Sequence, residues 1–487
     1  MQSSSPAAIV PSTSTSPSPS SLTRLERPLA ALLIALYFAL YSLLSLLRHA
    51  TYHSFGFDLG LYDQVFWNTV HGRWWESTMS LGLPQPHSYF GDHFSPIFFA
   101  ILPVYALFPH PQTLLVVQTA LIALGAVPIY LLARATFPDT GQPLLWVAAY
   151  LLFLPVAHIN LYDFHETALA ILPLGLALHF LERKQTVWFL LSLGAAALVK
   201  EEMALVGIGF GLYVTLARGS WRLGLLLVVA SLASFLTILY AAIPAFNGGR
   251  GFAYFQSRYG QLGASPLQIL GNALTRPRLL FQTLIQPRKA AFVAALLGPV
   301  LGLPAASGWG ILLLLPTLGY LLLSRYEPQF SFTSQYSAPL VPLVLGTAIL
   351  GLARVPVRLR TLVSAAVLLS SLAFSYAYGN LPFDRRFDPR EFLPEARYTA
   401  FAPALAKIPA QASVAAENDL TPHLDQRQRV YGIEYEGLAD ADYVALDMAA
   451  TSHDPAAFGA QLESVRGQGY EVIATQPGLA LLRRIAP

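Results

Sequence analysis

The sequence contains no cysteine in 487 residues. Disulfides, thiolate metal sites and cysteine nucleophiles are therefore excluded. Charge is scarce as well: Asp, Glu, Lys and Arg make up 12% of the chain, against a hydrophobic share of 54%. Soluble domains carry about 25% charged residues, so a soluble enzyme of this length is excluded and a polytopic membrane protein is implied. The 30 basic residues nearly balance the 27 acidic ones, for a net charge of +3. That balance argues against a nucleic-acid partner, which needs a clustered basic face.

The charge that is present is unevenly placed. Residues 380–487 hold 15 acids and 10 bases, which leaves 12 acids and 20 bases in the first 379 residues. Three regions follow: a disordered Ser/Pro-rich cytoplasmic leader at 1–22, a transmembrane domain at 23–379, and a soluble domain at 380–487. The tail reads as a small α/β domain, with strands at 412–416 and 443–446, a helix at 455–467, and a hairpin of 470–474 and 479–483 around Gln476-Pro477-Gly478. The apolar run from Pro28 to Leu47 is too long for a signal-peptide core and reads as the first transmembrane helix.

Apolar stretches long enough to cross a bilayer fall at 28–48, 112–133, 142–158, 167–181, 186–199, 203–217, 222–243, 289–303, 309–323, 336–353 and 360–378. The fold class is thus all-α and polytopic, with about eleven spans and a C-terminal α/β domain. With the N-terminus inside, Arg24, Arg27, Arg134, Arg183, Lys184, Arg218, Arg222, Arg354, Arg358 and Arg360 all fall on the cytoplasmic side, as the positive-inside rule requires. An odd number of spans puts the tail outside. Ile97 to Phe108, apolar but short and broken by Pro103, reads as an interfacial helix. So does Leu61 to Val70, with Phe66 and Trp67 suited to the headgroup zone.

This topology exposes a second asymmetry. Of the twelve acids, only Glu26, Asp139 and Glu182 lie inside. Asp58, Asp63, Glu76, Asp92, Asp163, Glu166, Glu201, Glu202 and Glu327 lie outside, with His53, His71, His87, His93, His110, His158 and His165. Acids barely influence insertion, and ionisable groups beside hydrocarbon usually have a partner or a task. Four outer segments carry the candidates. Asp58 in Gly56–Gln64 is a helix cap or a general base. Asp92 and His93, before Ser95-Pro96, form an N-cap, or Asp92 is a second carboxylate or metal ligand beside Asp58. Asp163, His165 and Glu166 offer oxygen and imidazole ligands for a divalent cation, Mg²⁺, Mn²⁺ or Zn²⁺, although their spacing matches no closed motif. Lys200 and Glu201, followed by Glu202, either neutralise one another or leave Lys200 to hold a phosphate. Arg250, Arg258 and Arg325 can hold one in the same way.

Several of these segments together resemble a known family. They are Phe57-Asp58-Leu59-Gly60…Asp63-Gln64…Trp67-Asn68…His71-Gly72, then Asp92-His93-Phe94-Ser95-Pro96, Asp163-Phe164-His165-Glu166, Lys200-Glu201-Glu202, Gln335-Tyr336-Ser337-Ala338-Pro339, and in the tail Ala415-Ala416-Glu417-Asn418-Asp419…Pro422-His423-Leu424. They are similar to a family of predicted bacterial and archaeal multi-pass membrane proteins grouped with the GT-C glycosyltransferases. The resemblance covers about 30 to 480. It implies an acid after the first helix, matched by Asp58, interfacial helices after it, and a second acid in the next outer loop, matched by Asp163. It also implies a polyprenyl-phosphate sugar as donor, with transfer on the outer face. Two segments depart from the mannosyltransferase pattern. Asp92-His93-Phe94-Ser95-Pro96 stands where relatives tend to have a Lys-Pro-Pro-like stretch, and Gln335 stands where many have Arg.

The expected function is membrane sugar transfer in the plasma or inner membrane, to a glycan, lipid or protein acceptor. Asp58, Asp92 and Asp163 form the catalytic set. His93, His165, Lys200, Glu201, Arg258, Arg325, Gln335 and Tyr336 bind substrate, and Asp163, His165 and Glu166 hold the metal if there is one. The alternatives are a transporter, which tends to place such groups near mid-membrane and to carry repeats, or an inactive scaffold that binds lipid-linked glycans.

Overall fold

In a computed structural model, which describes residues 21–79, 86–138, 140–252 and 254–485, the chain begins with helix α1 (Ser21–Ala50). The expected leader lies almost wholly outside the described residues, as does Asp139. Helix α1 shows a stripe of Leu25, Leu29, Leu32, Leu36, Leu40, Leu43 and Leu47 to the surroundings and buries Tyr37, Tyr41 and Leu44. An apolar stripe facing outward at helical spacing is the mark of a lipid-facing helix.

Among the described residues, four helices are long and apolar enough to cross a membrane: Leu25–Ala50, Pro111–Thr136, Trp221–Phe246 and Val357–Tyr378. Two bent pairs raise the number to six if each is one span. They are Gln142–Leu151 with Leu154–Leu161, at 42°, and Leu303–Leu313 with Leu315–Leu323, at 88°. Other expected spans are shorter apolar helices, among them Thr186–Ala197, Met203–Arg218 and Leu340–Leu352. Proline explains both bends, since Pro155 and Pro316 stand at the start of the second member of each pair and cannot continue the hydrogen-bond ladder of the first.

The segment after α1 forms the helices its pattern indicates, although α2 is mostly buried rather than lying at a surface. A tight π-type turn (Gly56–Gly60) leads into α2 (Leu61–Val70). A two-stranded ribbon, β1 (Glu76–Ser77) with β2 (His87–Ser88), and then α3 (Phe98–Leu107) follow.

The tail holds a five-stranded mixed sheet in the order β4-β3-β5-β7-β6. The strands are β3 (Val414–Ala416), β4 (Val430–Gly432), β5 (Tyr443–Asp447), β6 (Tyr470–Gln476) and β7 (Leu479–Arg484). Strand alternation gives the sheet two apolar faces. Val414, Ala416, Ala445 and Leu481 pack on Tyr398, Phe401 and Leu405. Ala415, Val444, Leu446 and Leu482 pack on the side of the helix Pro455–Gly467, against Phe458, Leu462 and Val465.

The tail is docked on the segment that follows α1. Gly56 N donates to Asn418 O at 2.8 Å, and Gln64 Nε2 to Gln428 O at 3.1 Å. Thr78 Oγ1 donates to Val430 O at 2.5 Å and accepts from Val430 N at 3.0 Å. A column of rings also joins the two regions: Tyr398 stacks on Tyr52, Tyr52 on His423, and His423 on His49. A Cβ on Gly56 would sit 2.5 Å from Thr421 Cβ. Gly56→Ala is therefore expected to destabilise the protein by about 1–3 kcal/mol through overpacking, read as a lower thermal transition in detergent.

Two carboxyls meet in this joint. Asp63 on α2 and Asp425 in the tail are both fully buried and hydrogen-bond to each other. The Tyr105 hydroxyl donates to Asp63 Oδ1 at 2.5 Å. Burial pushes Asp425 well above its ordinary range, with Asp63 adding to the shift while Arg427 opposes it. Burial also lifts Asp63 to about 6, against the lowering effect of hydrogen bonds from Tyr105, Asp425 and Gln426. The folded joint therefore holds a proton that the unfolded chain releases near pH 4. Its stabilisation is complete below about pH 4 and is lost progressively as the two carboxyls ionise at higher pH. Hydrogen exchange across residues 421–430 should accelerate from pH 5 to pH 8 beyond its intrinsic rise. Asp425→Asn, which keeps a donor without titrating, should flatten that excess.

Candidate functional site

The four candidate segments converge on one cavity of about 260 Å³. Asp58, Asp92, His93, His165, Lys200, Arg258, Gln335 and Tyr336 all line it, together with Phe57, Tyr62, Tyr89, Tyr162, Tyr254 and Tyr326. Eight of the expected site residues thus meet, although they are spread over nearly 280 positions of sequence.

Asp58 projects from the Gly56–Gly60 turn, whose entry is fixed from both sides. Phe55 N donates to Asp163 Oδ2 at 2.9 Å, and Phe57 N to Asn418 Oδ1 at 3.3 Å. Asp58 Oδ1 lies 2.9 Å from His165 Nε2, and the Asp58 side chain keeps 21% of its surface exposed. His165 is held by its own backbone, whose N–H donates to Gln118 Oε1 at 2.7 Å.

Beneath them lies a buried ionic layer. Lys200 Nζ is 2.7 Å from Glu166 Oε1, and the Tyr62 hydroxyl donates to the same carboxylate. Burial raises the Glu166 carboxyl, but Lys200, His93 and His165 more than reverse this and hold it down at about 2. Burial works against the charge on Lys200, yet Glu166, Glu202 and Glu201 raise its pKa above the ordinary lysine value. His93 Nδ1 lies 2.7 Å from Glu201 Oε1, and its ring stacks on Tyr254 at 5.0 Å. Burial, assisted by Lys200, pushes His93 down to about 3, so it is neutral at physiological pH. Asp92 Oδ2 lies 2.8 Å from His87 Nε2.

Arg258 differs from Lys200. It is buried in a cage of Tyr254, Tyr326 and Tyr336, with ring centres at 4.8, 5.8 and 5.6 Å. Its hydrogen bond to the Tyr336 hydroxyl is long, at 3.5 Å, and among the described residues no carboxylate is within ion-pair distance. Arg258 also lines a second, apolar groove of about 190 Å³ with Leu205, Phe235, Leu239, Phe255, Ile269 and Leu323.

Four expected residues stand elsewhere. Asp163 does not line the cavity. Its backbone is left-handed, at φ 71°, and its carboxylate turns to Arg48 of α1 at 3.2 Å and to Phe55 N, so it braces the Asp58 turn from behind. Arg325 is exposed and donates to Ser257 O at 2.7 Å and Gln256 O at 3.2 Å, which holds the short helix that carries Arg258. Glu201 supports His93 and lines the apolar groove. The metal set Asp163, His165 and Glu166 does not form, because the three side chains face Arg48, Asp58 and Lys200 respectively. Among the described residues no three His, Asp or Glu side chains are arranged to hold a metal ion.

Residues 48–481 match the family described as "Predicted membrane protein (DUF2079)". The chain belongs to this family. No curated protein matches it. Among solved structures, ArnT from Cupriavidus metallidurans bound to undecaprenyl phosphate is 15% identical, with a TM-score of 0.53, over 94% of this chain and 98% of that one. The apo state of the same protein is 16% identical, with a TM-score of 0.53, over 93% and 98%. The DUF2079 chain is therefore a multi-pass membrane protein with the GT-C fold of ArnT and a small C-terminal sheet region.

Sequence reasoning missed the tyrosines. Tyr62, Tyr89, Tyr162, Tyr254 and Tyr326 furnish much of the cavity wall in the DUF2079 chain. For Tyr62, Tyr89, Tyr162 and Tyr326 the available signal was their place beside Asp63, Asp92, Asp163 and Glu327; Tyr254, in a segment without acids, had none. His87 stands among the outer histidines, but nothing in the sequence signals its pairing with Asp92.

Proposed function

We propose that this protein is a GT-C-type glycosyltransferase, moving a sugar from a polyprenyl-phosphate donor to an acceptor hydroxyl on the extracytoplasmic face, with its N-terminus in the cytoplasm and its tail outside. One observation carries the reading: a carboxylate, Asp58, and a buried guanidinium without a carboxylate partner, Arg258, face the same cavity. A base for an acceptor and a counter-charge for a phosphate are the two functions that transfer from a lipid phosphate needs.

In this mechanism the donor's chain lies in the apolar groove and its phosphate against Arg258, which borders both spaces. Asp58 accepts the proton of the acceptor hydroxyl as the oxygen bonds to the anomeric carbon. The bond from that carbon to the phosphate oxygen breaks, and the phosphate leaves with its electrons toward Arg258. His165 orients Asp58 through the 2.9 Å contact. Lys200, already paired with Glu166, adds positive potential rather than a direct phosphate contact. The ArnT structure bound to undecaprenyl phosphate supports the lipid-phosphate half of this reading.

Mass spectrometry of lipid-linked sugars and surface glycans in a deletion strain tests it. A glycan that disappears, with its lipid-linked precursor accumulating, is the expected result. Unchanged glycans with altered solute uptake would instead identify a transporter.

A further inference from the structure

Between the span Trp221–Phe246 and the helix Pro287–Leu297 run two short helices, Pro266–Thr275 and Pro277–Leu284. They contribute little to any core, since Thr283 is their one buried residue. Leu267, Leu270 and Leu274 form a stripe on the first, and Phe281 and Ile285 lie at one turn's spacing along and just past the second. These five side chains are 58–81% exposed. Patches of this kind on a soluble surface mark a contact surface.

The charge beside the stripe has one sign. Between residues 254 and 326 the sequence contains no Asp or Glu. Arg276 stands at the joint of the two helices and Arg278 in the first turn of the second, and among the described residues neither has an ion-pair partner. A second copy of the same surface would bring arginine against arginine, so the face is poorly suited to self-association. Phospholipid meets both demands, with acyl chains for the leucines and phosphates for the arginines. The other side of the first helix is apolar too, because Pro266 and Ile269 wall the groove that leads to Arg258. The segment also runs directly into the helix Pro287–Leu297.

We propose that the 266–285 helical pair lies in the headgroup layer of the leaflet beside the groove, with Leu267, Leu270, Leu274 and Phe281 among acyl chains and Arg276 and Arg278 at lipid phosphates. On this arrangement the groove opens sideways to lipid rather than upward to water. The inference does not depend on sugar transfer and stands if another lipid is the ligand.

The absence of cysteine makes the test clean. Leu267→Cys, Leu274→Cys and Phe281→Cys each give one site for a fluorophore, with Gln268→Cys and Gln282→Cys as polar-side partners. The full chain would be placed in nanodiscs of phosphatidylethanolamine and phosphatidylglycerol carrying a nitroxide on the acyl chain, and aqueous iodide would be the second quencher. The nitroxide should quench the three apolar-face labels strongly, and iodide should reach them severalfold less than the glutamine-site labels. The proposal is overturned if both sets are equally open to iodide, if the apolar face is shielded from both quenchers, or if the glutamine sites are quenched by nitroxide as strongly as the leucine sites.

Discussion

Replacing Asp58 by asparagine is expected to lower sugar transfer by about 100- to 10,000-fold, the range a positioned general base supplies, with no comparable fall in thermal stability. The amide keeps the shape of the side chain and can still meet His165, but it cannot accept the acceptor's proton. The check is to complement a deletion strain with the variant and quantify the glycan product and the lipid-linked precursor. Asp163→Asn provides the contrast. Its carboxylate faces Arg48 and Phe55 rather than the cavity, so its loss should loosen the turn and lower stability while leaving residual transfer well above that of Asp58→Asn. Normal transfer by folded Asp58→Asn protein would remove the base assignment.

Breaking the Glu166–Lys200 pair is expected to cost stability rather than chemistry alone. Both groups are buried at 2.7 Å. Removing one partner leaves an uncompensated charge, which typically costs about 3–5 kcal/mol. Lys200→Met and Glu166→Gln singly should each lower the thermal transition sharply in detergent. The double variant should recover most of the loss, because replacing a buried ion pair by neutral groups is often close to neutral, and the amide introduced by Glu166→Gln still offers an oxygen to Tyr62. A double variant no more stable than either single one would mean that Lys200 is held mainly by Glu201 and Glu202.

Some of this was legible in the sequence for identifiable reasons. The helix α2 fell on residues 61–70 as its apolar spacing indicated, but it is not the surface helix expected: Phe66 is fully buried against Trp75, Phe98 and Tyr105. The tail strands at 443 and 479 and the helix at 455–467 followed from alternation, a Pro-Gly turn and a proline start. The strand β4 did not: Val430–Gly432 follows the polar run Gln426 to Arg429 and ends on a glycine, a residue depleted in strands. The sidedness of the acids pointed to a shared site, but of the nine only Asp58 and Asp92 line the cavity, with Glu166 and Glu201 behind its wall. The roles of Asp163 and Arg325 were not legible, because each depends on a partner far away in sequence, Arg48 in one case and the 256–257 carbonyls in the other. Spacing within a segment also misled: Asp163, His165 and Glu166 are close in sequence but radiate from a left-handed residue and an extended one before the next helix begins.

The clasp of Asn418 on Gly56 and Phe57, and of Thr78 on the β4 edge, has a consequence for biogenesis. The turn that aims Asp58 leaves the ribosome some 360 residues before Asn418, which helps to hold it. A nascent chain therefore carries an unfinished pocket until the 418–430 segment is synthesised, and a product terminated before it lacks these contacts. The same clasp closes the outer strand of the sheet with side chains from the loop, so a severed tail produced alone would present a bare strand edge and tend to aggregate.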